Sequence, residues 1–206
     1  MKNNQNYSQD IAHIRSIMEQ STRFMSLSGW AGIMAGIYAL LGIWFANKWL
    51  GYEPGGFGFD RWVGIDFKPA SLIGLGLAVL ILSMGTAIYL SSQKALKEGK
   101  KPWNSASRRL LMNTAVPLVA GGITMLAFIS QQMYSTLIPL SLIFYGLSLY
   151  HGGRDSYKEI RILGIFEIML GLMSLFLIEY SMFLWALGFG FLHIVYGIYL
   201  HYKYER

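Results

Sequence analysis

The sequence predicts an all-α, polytopic membrane protein: a bundle of six transmembrane helices preceded by a short amphipathic helix. Three observations carry this reading. The chain is 54% hydrophobic and only 14% charged over 206 residues, too apolar for an ordinary soluble domain. Its apolar residues run continuously instead of forming one-sided stripes, the mark of segments that are apolar all round. Most of these runs reach the roughly 20 residues a helix needs to cross about 30 Å of hydrocarbon. A β-barrel would alternate polar and apolar residues over segments of about 10.

Residues 1–23 form a cytoplasmic N-terminal segment. Its polar start is expected to fray. Over residues 10–23, Ile11, Ile14, Ile17 and Met18 recur at helical spacing with His13, Arg15, Ser16 and Glu19 on the other faces, which predicts a helix lying in the membrane interface. The segment has no apolar core of its own, so no cleavable signal peptide is expected. Residues 24–201 form the six-helix transmembrane domain, and 202–206 a cytoplasmic tail.

The first span, 24–46, carries Ser28, Gly32 and Gly36, a ridge of small residues suited to close helix packing. The link to the second span, 70–91, holds Trp49, Tyr52, Phe57, Phe59, Trp62 and Phe67; rings of this kind are stable at the headgroup layer. The third span, 110–129, contains Asn113 and Pro117. The fourth, 135–150, is interrupted by Pro139. Each proline removes a backbone donor and is expected to kink its helix. Ser156 and Glu159 have capping-box spacing just before the fifth span, 161–178. The sixth span, 182–201, ends among Tyr196, Tyr199, Tyr202 and Tyr204, expected as interfacial anchors.

Charge sets the expected threading. Lys2, Arg15 and Arg23 precede the first span, and Lys94, Lys97, Lys100, Lys101, Arg108 and Arg109 fill the second link. Arg154, Lys158 and Arg161 fill the fourth, and Lys203 and Arg206 the tail. These are 14 of the 17 basic residues, so the positive-inside rule puts both termini in the cytoplasm. Topogenesis and anionic lipid account for the net charge of +6, and no nucleic-acid partner is expected. Cysteine is absent, which removes disulfides and thiolate metal sites.

The one constellation with chemistry is an intramembrane polar pair, Glu167 and His193. Glu167 lies between Gly164 and Gly171, and His193 between Gly190 and Gly197, each at i−3 and i+4 on one helix face. A short link makes spans five and six antiparallel, so facing residues should have numbers of constant sum. Gly164 with Gly197, Gly171 with Gly190, Ser174 with Ala186, and Glu167 with His193 all sum to 360 or 361. The expectation is that the glycines let these two helices approach until acid and histidine meet. A lone carboxylate at that depth costs several kcal/mol, so Glu167 should be protonated or paired, and a neighbouring histidine can share the proton. Spans one and five also match faintly, Gly29, Ile33, Met34, Gly36 and Leu40 aligning with Gly164, Ile168, Met169, Gly171 and Leu175, which suggests a repeated hairpin.

The segments IRSIMEQSTRFMSLSGWAGIMAGIYALLG, EIRILGIFEIMLG and GFGFLHIVYGIYLHYKYER resemble an uncharacterised family of six-span bacterial inner-membrane proteins. The resemblance implies a bacterial inner (plasma) membrane location and no established activity. Related sequences can carry a carotenoid-cleaving oxygenase label. That chemistry needs several histidines converging on iron, and here only His193 lies within a span, so the label does not transfer.

No catalytic residue, metal site or cofactor is expected. His13, His151 and His201 share the cytoplasmic interface at spacings that match no ligand motif. The expected partners are the lipid bilayer and a protein partner or second copy. The leading expectation is a structural, regulatory or accessory membrane subunit. The alternative is a proton-coupled small-solute transporter or channel using the Glu167–His193 pair.

Overall fold

The computed structural model describes residues 27–49, 69–154 and 156–205. The amphipathic helix expected over 10–23 and the aromatic first link lie outside the described residues. Among the described residues every regular element is helical. In chain order they are α1 Gly29–Trp49, α2 Pro69–Lys97, α3 Ser105–Ser130, α4 Leu137–Gly152 and α5 Lys158–Phe176. A last rod follows, made of α6 Ser181–Trp185, a π-helical stretch Ala186–Leu192 and α7 His193–Tyr204 running head to tail.

Four stretches are long and apolar enough to cross a membrane: Gly29–Ala46, Ile73–Lys97, Ser105–Ser130 and Ile178–Tyr204. By that measure α4 and α5 fall short. At 16 residues α4 is about 24 Å long, and α5 carries Lys158, Glu159, Arg161 and Glu167. The distribution of polarity nevertheless suits a bilayer. Leu77, Ile81, Ile88, Val116, Ile123 and Leu126 are more than half exposed, while Ser28, Ser91, Ser148, Ser174, Glu167 and His193 are buried. Apolar outside and polar inside is how helices in lipid satisfy both surroundings.

Pro139 sits in the first turn of α4, where no helical partner awaits its missing N–H. It opens the helix and does not interrupt it. Pro117 does lie inside α3; three residues before it, the Thr114 carbonyl accepts a hydrogen bond from Ser148 Oγ of α4. The expected Ser156–Glu159 capping box is not made. Tyr157, not Ser156, stands at the N-cap of α5 and makes no side-chain hydrogen bond there, and the Glu159 carboxylate is turned to Lys203 and Tyr204. A true box closes α3 instead: Asn104 Oδ1 accepts from the Ala106 and Ser107 N–H groups, and Ser107 Oγ accepts from the Asn104 N–H, all within 2.9 Å.

The most extensive interfaces are α4 with α5 and α1 with the last rod; α3 adds to the first pair and α2 to the second. The expected glycine-to-glycine contact between spans five and six is therefore overturned. A Cβ on Gly164 would fall 2.6 Å from Gly146 O, and one on Gly171 would meet Ile143, both on α4. A Cβ on Gly197 would fall 2.5 Å from Ile33 N, and one on Gly190 would meet Leu40, both on α1. Gly32 and Gly36 pack on the last rod, against Gly197, His193 and Ile194.

These two pairs are built alike. Added Cβ atoms on Gly29 and Gly164 would meet, respectively, Gly197 O with His201 N, and Gly146 O with Tyr150 N. Gly197 would meet Gly29 O and Ile33, as Gly146 would meet Gly164 O and Ile168. Gly36 would meet Ile194 as Gly171 would meet Ile143. The similarity of spans one and five is thus a recurrence of a helix pair and not of a hairpin. The partner helices share a pattern too: Ile143-x-Tyr145-Gly146-x-x-Leu149 and Ile194-x-Tyr196-Gly197-x-x-Leu200.

Candidate functional site

The chain thus forms two halves, α1, α2 and the last rod on one side and α3, α4 and α5 on the other, with thinner contacts along the seam between them. Glu167 lies on the seam from α5 and His193 from α7. Glu167 has no exposed surface and His193 only 4%. Gly188, in the π-helical stretch, makes room for the acid: a Cβ there would fall 2.5 Å from Glu167 Oε2 and 2.9 Å from Leu142 Cδ2. Single π-helical turns cost regular hydrogen bonding and recur at functional sites.

The two side chains are adjacent, His193 Nδ1 lying 3.4 Å from Glu167 Oε1. That nitrogen is closer to Gly188 O, at 3.0 Å. A carbonyl only accepts, so Nδ1 carries the hydrogen. In the neutral ring Nε2 is then an acceptor, and the Tyr145 hydroxyl donates to it at 2.8 Å. Tyr145, His193 and Glu167 thus form a connected line from α4 through α7 to α5. Phe189 stacks on the His193 ring at 5.8 Å and also packs on Tyr145 and Trp185.

Among the described residues, neither oxygen of Glu167 has a hydrogen-bond donor. The Ser174 hydroxyl, two turns further along α5, is equally buried and also lacks a partner among the described residues. Buried polar groups left unmade are expensive, a charged one most of all.

Apolar layers close the line at both ends. Leu142, Leu170 and Leu184 cluster on one side, and Tyr157, Ile160 and Leu200 on the other. Beyond the second cluster two carboxylates gather cations. Glu205 lies 3.2 Å from Lys94 Nζ and 2.6 Å from His201 Nδ1, and accepts from the Gly29 N–H at 2.9 Å. Glu159 lies 2.5 Å from Lys203 Nζ and accepts from the Tyr204 hydroxyl at 3.2 Å. Partial burial pushes both carboxyls up, but these donors outweigh it and hold each below the ordinary carboxylate value of 4.5.

Sequence reasoning missed Tyr145 and Gly188. The recurring Ile-x-Tyr-Gly pattern was the available signal for Tyr145. His151 is exposed and His201 is paired with Glu205, and among the described residues no three side chains gather as a metal-ligand set. Tyr199 and Tyr202 are exposed as anchors would be, whereas Tyr204 stacks on Tyr157 at 4.3 Å. Compared with known proteins, the chain matches no family model, no curated protein and no solved structure, so any chemistry must be argued from its own side chains.

Proposed function

We propose that the chain is a six-span protein of the bacterial inner membrane, with both termini cytoplasmic, that binds and passes a proton at Glu167 to drive a small solute. The observation that carries this is the carboxyl itself: wholly buried, without a donor on either oxygen among the described residues, and beside a histidine that leads on to Tyr145. A carboxyl so placed changes its environment by taking or losing a proton, and intramembrane ionisable residues of this kind serve relays and carriers. Glu167 would be the loaded group, His193 the exchange partner and Tyr145 the next link. The topology is supported by the basic residues on alternate links and by the polar-inside, apolar-outside packing. The test is reconstitution into liposomes and measurement of proton flux. Wild type should carry protons and Glu167→Gln should not; equal flux in both would sink the carrier reading.

One observation favours a structural, regulatory or accessory subunit as a second reading. Gly74, Gly76 and Gly85 of α2 face open space, unlike the backbone-to-backbone glycines of α1 and α5. Small residues on a lipid-side face suit contact with another helix. A Gly85→Cys variant of this cysteine-free chain, cross-linked in native membranes, should capture a partner or a second copy under this reading and neither under the first.

A further inference from the structure

The proton centre lies on the seam between the two halves, so it matters what closes that seam. We propose that the Glu159–Lys203 pair, with the Tyr157–Tyr204 stack beneath it, is the cytoplasmic gate of the proton centre and stands shut in this structure. The inference rests on the carrier reading of Glu167.

Each member of this group reaches across the seam. Glu159 and Tyr157 belong to the α5 half; Lys203 and Tyr204 belong to the last rod. Lys203 Nζ is 2.5 Å from Glu159 Oε1, and the Tyr204 hydroxyl donates to the same oxygen at 3.2 Å. The Tyr157 and Tyr204 rings stack at 4.3 Å. A third element joins from α2, where Lys94 lies over the Tyr157 ring at 5.8 Å. Lys94 is held in place by Glu205 and by the Leu27 carbonyl, 2.9 Å away. Beneath these groups Ile160 and Leu200 pack as an apolar plug, 5% and 2% exposed. The plug is followed, deeper along α5 and the last rod, by Glu167 and His193.

The closure is strong on one oxygen and unfinished on the other. Glu159 Oε1 takes both donors, while Oε2 is buried without any among the described residues. A buried carboxylate oxygen with no partner regains hydration when it meets water. Opening loses two hydrogen bonds but restores solvent to the orphaned atom, which offsets part of its cost. Elsewhere each half is locked glycine to backbone, so movement has its least resistance across the seam.

The absence of cysteine makes the test direct. Ile160→Cys in otherwise unaltered protein, in inverted membrane vesicles, should react slowly with a membrane-impermeant maleimide. Adding Glu159→Gln or Lys203→Ala should speed labelling about tenfold, as expected for an open population freed from one charge-assisted hydrogen bond. A separate variant, Glu159→Cys with Lys203→Cys, should form a disulfide on oxidation. Liposomes carrying it should lose proton flux and regain it on reduction. Unchanged labelling in both single variants, or flux indifferent to the disulfide, overturns the gate. Labelling reports opening without any flux, so the two failures are told apart: equal flux in wild type and Glu167→Gln removes the carrier reading, whereas unchanged labelling removes the gate.

Discussion

His193 Nδ1 stands between two oxygens, 3.0 Å from Gly188 O and 3.4 Å from Glu167 Oε1. The carbonyl holds the hydrogen and the carboxyl is left beside it without a donor. A small rotation of the imidazole exchanges one acceptor for the other, so the ring can engage the acid without its neighbours moving far. The first prediction concerns the tautomer. Nitrogen NMR of labelled His193 should show the proton on Nδ1 in wild type. Tyr145→Phe removes the donor to Nε2 and should shift that nitrogen's resonance while the Nδ1 proton stays. A proton found on Nε2 in wild type would contradict the assignment.

Glu167→Gln removes the ionisable group with little change of shape. Because the carboxyl has no donor to lose, thermal unfolding in detergent should occur at the same temperature or higher. A fall by more than about 2 kcal/mol, the scale of a broken buried hydrogen-bond pair, would mean that the acid pins the helices together and is not a carrier of protons.

Gly188→Ala would place a methyl group against Glu167 Oε2 and Leu142 Cδ2. Overpacking of this kind costs about 1–3 kcal/mol. Glu167→Ala empties the same space, so the double variant should recover much of the loss. A double-mutant cycle in chemical denaturation reads the coupling, and simple additivity would show that the two sites do not touch.

Much of the frame was legible in the sequence, because continuous apolar runs and their polar breaks mark helices regardless of how the helices assemble. The vicinity of Glu167 and His193 was legible too, through the antiparallel register about the turn near residue 180. The partners of the glycines were not. Register arithmetic on spans five and six pairs their glycines with each other, whereas Gly164 meets Gly146 across the equally short link between α4 and α5, and Gly197 meets Gly29 from the other end of the chain. The Ser156–Glu159 cap was not made either: Tyr157 stands at the N-cap of α5, and the Glu159 carboxylate is turned to Lys203, remote in sequence.

Those glycine contacts make a comparative prediction. Gly164→Leu and Gly197→Leu should each disrupt folding, with losses above about 3 kcal/mol or no recoverable protein. Gly85→Leu on α2, where nothing lies within 4 Å, should stay within about 0.5 kcal/mol of wild type. Equal damage at all three positions would mean that α2 is covered in the membrane by another helix.

The ion pairs of Glu159 and Glu205 carry a pH dependence with a definite sign. Glu159 and Glu205 are both held below 4.5 in the folded chain, so their stabilisation is complete above the unfolded carboxyl value and fades as pH falls through the depressed ones. On Glu159 the facing groups are Lys203 and Tyr204; on Glu205 they are His201, Lys94 and the Gly29 N–H. Hydrogen exchange in α7 and the start of α5, corrected for intrinsic rates, should be flat from about pH 8 to 5 and rise below about 4. Loss of protection on raising the pH instead would point to a cation, not a carboxyl, as the titrating partner.

The like construction of the two helix pairs has a consequence for how many buried acid–histidine pairs one chain can seat. Superposing α5 with α4 on α1 with the last rod brings Glu167 onto Gly32 and His193 onto Leu142. The scaffold is doubled and the chemistry is not. A twinned frame offers two equivalent seats, and this chain furnishes one of them, leaving its counterpart bare backbone and leucine. Under the carrier reading, this pair would load a single proton in each chain.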